Sequence, residues 1–107
     1  MTEPTTRELL EGAARAAGIE VSYHHGCGDA LELVKPRGFQ VYWNPLTDDG
    51  DALRLARACK MAIDFKEGTI LYYVGGECIG TDFTPGNDEE EALAILKAAA
   101  EIGRNMK

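Results

Sequence analysis

The sequence predicts an α+β fold: a mostly antiparallel sheet of about four to five strands with about three helices. Three observations carry that expectation. Capped amphipathic segments sit at both ends and in the middle of the chain. Short runs of alternating apolar and polar residues lie between them. Several of those runs follow one another with only brief turns, which favours antiparallel pairing over parallel crossovers. A sheet covered by helices on both faces has three layers, an α/β/α sandwich, although which helix covers which face is not legible.

The first helix opens at Thr5, with Glu8 at capping-box spacing and Pro4 ahead of it. Leu10, Ala13, Ala14 and Ala17 then recur at helical period, and Gly18 stands where a left-handed cap forms most easily. Residues 19–23 alternate and read as a strand that Gly26 and Gly28 break. Residues 29–34 read as a short helical turn ending before Pro36. Residues 39–43 are a stronger strand, ended by Asn44-Pro45. A second helix is expected over residues 49–60, with Thr47, Asp48 and Asp49 as cap candidates and Ala52, Leu55, Ala56 and Cys59 inward. Residues 62–65 and 69–74 form a hairpin across Lys66-Glu67-Gly68. Gly75-Gly76 turns the chain into a short strand at 77–79, and a loop is expected from Gly80 to Gly86. Asn87 and Glu90 cap the last helix, whose apolar stripe is Ala92, Ile95, Leu96, Ala99 and Ile102.

The 107 residues suit one domain, residues 1–107, with no linker or repeat. Hydrophobic residues at 45% and charged residues at 27% are ordinary globular values. No apolar run reaches the length of a membrane span, and the N-terminus lacks a signal pattern, so a cytoplasmic location and no membrane contact are expected. Cys27, Cys59 and Cys78 form neither a disulfide framework nor a CxxC pair. Eighteen acids against eleven bases give a formal charge of −7, which argues against direct nucleic-acid binding. Residues 67–96 contain seven acids and no Lys or Arg. Such a stretch can occupy a basic groove on another protein.

The run Trp43-Asn44-Pro45-Leu46-Thr47-Asp48-Asp49-Gly50-Asp51-Ala52-Leu53-Arg54-Leu55-Ala56 resembles the signature block of the phage α/β/α-sandwich domain family. The tail, Ala94-Ile95-Leu96-Lys97-Ala98-Ala99-Ala100-Glu101-Ile102-Gly103, is similar to that family's ending. The resemblance covers the chain from about Phe39 onward and the helical N-terminus more loosely. It implies a three-layer sandwich and a phage or prophage accessory gene, and brings no catalytic residues. The segment 23–38 departs from the family pattern.

Four constellations bear on chemistry. His24, His25 and Cys27 are three potential metal ligands within four residues, but a tetrahedral site needs a further ligand or water; the plainer reading is a polar turn. The same residues contain a Cys-His pair whose members need a turn to meet. Asp48, Asp49 and Asp51 lack the spacing of a calcium loop and suit a helix N-terminus, where each acid contributes roughly 0.3–1 kcal/mol. Asp88, Glu89, Glu90 and Glu91 exceed what capping requires, and with Glu77 and Asp82 they could form one acidic partner-binding surface. Trp43 and the tyrosines lack interleaved bases and read as core rather than a stacking platform.

The reading is a non-enzymatic accessory protein without a cofactor. It engages a bacterial host or defence protein, in one version by mimicking nucleic acid as anti-CRISPR proteins do. The alternatives are a self-associating structural protein, a homodimer joined through exposed strands, and a small metal-binding domain using His24, His25 and Cys27.

Overall fold

A computed structural model describes residues 6–23, 31–37, 40–46 and 49–106. In chain order the elements are α1 (Thr6–Ala17), β1 (Val21–Tyr23), β2 (Leu31–Arg37), β3 (Gln40–Trp43) and α2 (Asp49–Ala58), followed by β4 (Ala62–Asp64), β5 (Thr69–Val74), β6 (Glu77–Asp82) and α3 (Asp88–Arg104). The class is α+β with antiparallel pairing throughout. Among the described residues three helices occur, as expected. The strands form two three-stranded sheets, β1-β2-β3 and β4-β5-β6, so each has fewer strands than the single sheet of four to five that the sequence predicts.

Two element readings are corrected. Residues 31–37 are strand β2, where a helical turn is expected over 29–34. Pairing to β1 and β3 on both sides overrides the local signal, and Pro36 is accommodated where the register with β3 shifts between Glu32 and Arg37. The loop expected from Gly80 is strand as far as Asp82, because β5 pairs with β6 along its whole length. Gly80 lies opposite Leu71, and a Cβ built on it would come 3.3 Å from Leu71 Cδ2. The glycine therefore makes room for the leucine inside a ladder rather than ending it.

Helix ends follow local chemistry closely. Gly18 adopts φ 71°, with Ile19 N bonded to Ala14 O and Gly18 N to Arg15 O, the paired bonds of a Schellman cap. The same two bonds end α2, from Met61 N to Ala56 O and Lys60 N to Arg57 O, with Lys60 rather than a glycine at φ 57°. Asn87 caps α3: its Oδ1 accepts from Glu90 N at 3.1 Å, and its Nδ2 donates to Glu90 Oε2 at 2.9 Å.

Helix α3 is the centre of the packing. It lies against α1, against α2, and against β5 and β6. That explains why its buried positions, among them Ala94, Ile95, Leu96, Ala98, Ala99 and Ala100, exceed one amphipathic stripe. Leu10, Leu55, Ile70, Ile95 and Leu96 are fully enclosed, and each contributes roughly 1.5–3 kcal/mol by leaving water. Helices α1 and α3 cross through glycine. A Cβ on Gly12 would lie 3.2 Å from the Ala100 carbonyl oxygen, and one on Gly103 would overlap the Gly12 carbonyl.

Candidate functional site

The acidic residues are positioned by the passage from β6 into α3. Asp82 ends β6 and is exposed. Phe83 follows, buried, with its N–H bonded to Gly68 O at 2.8 Å, which pins the chain before it turns. Thr84 donates its N–H and its hydroxyl to Glu90 Oε1 at 3.2 and 2.8 Å. With the Asn87 bonds, the Glu90 carboxylate is committed to holding this corner together. Asp88 and Glu89 are exposed in the first turn of α3, where the helix dipole favours them; Glu91 is half-buried.

Of the six acids singled out, Asp82, Asp88, Glu89, Glu90 and Glu91 thus lie within ten residues of chain around one corner. Glu77 does not join them. It begins β6, five residues from Asp82, which at about 3.4 Å per residue is roughly 17 Å away. The two also point to opposite faces of the sheet, because the side-chain period of a strand is two. The acidic surface read from the sequence is therefore a corner of five acids and a separate sixth. Arg7 pairs with Glu11 at 2.7 Å and Arg54 with Asp51 at 2.9 Å, both away from this corner.

His24, His25 and Cys27 lie outside the described residues. Among the described residues no group of three or more His, Cys, Asp or Glu is arranged to hold a metal. Cys78 is exposed on β6, and Cys59 is half-buried with its thiol pushed up to about 11 by burial. Cys59 is therefore a neutral thiol at physiological pH and a poor nucleophile.

Two further features lie beyond the sequence reading. Asp51, expected to cap α2, is 2% exposed and fastens the strand-to-helix corner instead. Its Oδ2 accepts from Asn44 N at 3.1 Å and its Oδ1 from Arg54 Nη2 at 2.9 Å, while Asn44 Oδ1 accepts from Leu46 N. The spacing of Asp51 and Arg54 was the one local hint of this. The second feature is an open cleft of about 270 Å³ between α3 and the sheet, with walls that include Thr81 and Asp82 on one side and Glu90, Leu93, Lys97 and Glu101 on the other. At its base the Tyr72 hydroxyl donates to Glu101 Oε2 at 2.7 Å. Burial, and then the neighbouring Glu101 carboxylate, push the Tyr72 hydroxyl up to about 12. No sequence pattern links residues 29 positions apart.

Comparison with protein-family models, curated proteins and solved structures finds no match to this chain. Among the described residues, no helix is long and apolar enough to cross a membrane.

Proposed function

We propose that this chain is a non-enzymatic accessory protein of phage or prophage origin that binds a bacterial host or defence protein through its acidic surface. The observation that carries the reading is the corner where β6 passes into α3, with Asp82, Asp88 and Glu89 exposed in a stretch that contains no base. Charges so placed attract a basic surface and repel nucleic acid and anionic lipid. An inhibitor that imitates nucleic acid is the most specific form of the proposal. The resemblance of residues 43–56 and 94–103 to the phage α/β/α-sandwich family supports the viral origin. The three-layer arrangement and a location in the host cytoplasm belong to the same proposal, with α3 as the layer over one face of β4-β5-β6.

The test is capture from bacterial lysate by immobilised protein, with Asp88→Asn/Glu89→Gln as the comparison. Binding that falls with added salt and is weakened by the double variant supports the reading. Capture that is indifferent to both removes the electrostatic mechanism.

Self-association is the second reading, favoured by one observation. Leu71 and Tyr73 on the outer face of β5, and Phe65 in the preceding turn, are 45%, 65% and 51% exposed. Light scattering that gives the monomer mass at high concentration excludes it. The metal-binding reading through His24, His25 and Cys27 is tested by elemental analysis of purified protein; absence of a stoichiometric metal removes it.

A further inference from the structure

Strand β6 is an edge. Among the described residues it pairs with β5 on one side and with no strand on the other. The phase of its ladder follows from the turns at its two ends. Val74 and Glu77 flank the two-residue Gly75-Gly76 turn, and residues so placed exchange hydrogen bonds. The bond from Phe83 N to Gly68 O continues that same register and phase. The odd-numbered residues of β6 therefore bond to β5, and Cys78, Gly80 and Asp82 turn their N–H and C=O groups toward the open edge.

The space beside that edge is already shaped. The cleft of about 270 Å³ lies between α3 and the Thr81–Asp82 end of β6, with Leu93 exposed in its wall and the small residues Ala94 and Ala98 along it. A strand added about 4.8 Å from β6 would direct alternate side chains into this cleft and the others onto the outer face.

Charge decides the occupant. Glu77 and Asp82 stand at the two ends of β6, and the cleft carries Asp82, Glu90 and Glu101 against Lys97 alone. An antiparallel pairing of β6 with a second copy sets the Asp82 end of each strand beside the Glu77 end of the other, on opposite faces of the sheet, so negative charge accumulates at both ends with no base to offset it. In the phase-matched symmetric register that engages all three edge-facing residues, Cys78, Gly80 and Asp82, Gly80 also faces Gly80, with no side chains to pack at the centre. A second copy is thus disfavoured, as edge charges commonly achieve.

We infer that the open edge of β6 and the cleft beneath α3 receive an extended segment of a partner protein as an added strand, with Lys or Arg at its two ends. The inference rests on the protein-binding reading above and adds the mode and the chemistry of the partner segment. Main-chain bonds to Cys78, Gly80 and Asp82 supply affinity, and the flanking bases supply selectivity.

The test uses isotope-labelled full-length protein and two synthetic peptides of alternating threonine and valine, one flanked by lysines and the other by glutamates. With the lysine-flanked peptide, the Cys78, Gly80 and Asp82 amides shift and gain protection from hydrogen exchange. The glutamate-flanked peptide binds at least about tenfold more weakly, and the Glu77→Lys/Asp82→Lys variant inverts the order. Equal response to both peptides, no response at millimolar peptide, or shifts confined to Leu71 and Tyr73 overturns the inference. So does protection of the three amides in the free protein that rises with its concentration, which marks a second copy as the occupant. The same variant separates this inference from the reading beneath it. Salt-sensitive capture from lysate that survives the variant leaves the protein-binding reading standing and removes the edge. Peptide binding at the edge without any captured partner does the reverse.

Discussion

Asp51 shows how a single buried carboxylate organises a corner. An acid at the start of a helix usually remains near water, where its interaction with the dipole is modest. Here Asp51 is enclosed, as are Trp43 and Pro45 at the end of β3, and its oxygens accept from Asn44 N and Arg54 Nη2. Asp51→Ala leaves the part-buried Asn44 N–H without its acceptor and removes the pairing with the more exposed Arg54. We expect about 1–3 kcal/mol of destabilisation by urea titration, and a change near zero would contradict the role. Cysteine reactivity gives a second check. In a Cys27→Ser background at neutral pH, Cys78 is alkylated readily, whereas Cys59 reacts slowly and accelerates only as pH climbs toward its raised value. Comparable rates at neutral pH, read by mass spectrometry, would exclude a buried, protonated Cys59.

Tyr72 is the third residue with a measurable consequence. Its folded pKa, about 12, lies above the ordinary 10, so the folded state holds the phenolic proton more tightly than the unfolded chain. The corresponding stability is complete below pH 10 and is lost as pH rises from about 10 through 12. Cys59 acts with the same sign in a lower window, from about 9 through 11. Tyr72→Phe should flatten the upper part of the alkaline decline in thermal stability and leave the part due to Cys59. An unchanged profile would show that Tyr72 does not hold its proton in this way.

At the scale of elements, the crossing of α1 and α3 is the most demanding contact. Gly103 lies inside α3, where glycine weakens a helix by roughly 0.5–1 kcal/mol relative to alanine. It is kept there by the backbone of α1, since any Cβ would run into the Gly12 carbonyl. Gly103→Val should cost at least about 1–3 kcal/mol through displacement of α1. Gly18→Ala is the useful contrast. Gly18 has open space around it and only a left-handed backbone at φ 71°, so that change should cost about 1–2 kcal/mol without moving the helices. Equal costs with unchanged α1–α3 contacts, judged by amide shifts, would place the origin of the Gly103 requirement elsewhere.

Helix boundaries were readable because caps are local. Gly18, Asn87 and Glu90 each act on backbone groups within a few residues, and the structure uses them accordingly. Strand β2 was misread for the opposite reason: its pairing partners, β1 and β3, are what make it a strand. The run through Gly80 failed similarly, because a glycine looks like a break until the leucine facing it is known. Of the candidate site, the acids after Asp82 were legible as a cluster because they are contiguous in the chain. The separation of Glu77 was not, since it depends on strand length and on the alternation of faces along β6.

For the whole molecule, the formal charge of −7 is a property of composition, but its consequences depend on arrangement. Three upstream arginines are engaged away from the acidic corner: Arg7 with Glu11, Arg54 with Asp51, and Arg15 with the Met106 carbonyl at the far end of the chain. The corner where β6 passes into α3 is left with a surplus of negative charge, and self-repulsion there should ease as salt rises. Thermal stability should therefore increase with ionic strength, and Asp88→Asn/Glu89→Gln should reduce that dependence. A melting temperature insensitive to salt would mean that the acids are already compensated.

The sequence by itself determined the class, the three helices with the caps at Gly18 and Asn87, the strand hairpins of residues 62–79, and the concentration of acids after residue 67. All of these rest on interactions between residues close in the chain, and such interactions need no knowledge of distant partners. The tertiary structure alone decided that α3 lies at the centre, that Gly12 and Gly103 bring two helices into contact, that Asp51 is enclosed, and that β6, among the described residues, leaves an open edge beside a cleft. Each of these depends on which surfaces meet after the chain has folded back on itself, and chain-local patterns do not record that geometry.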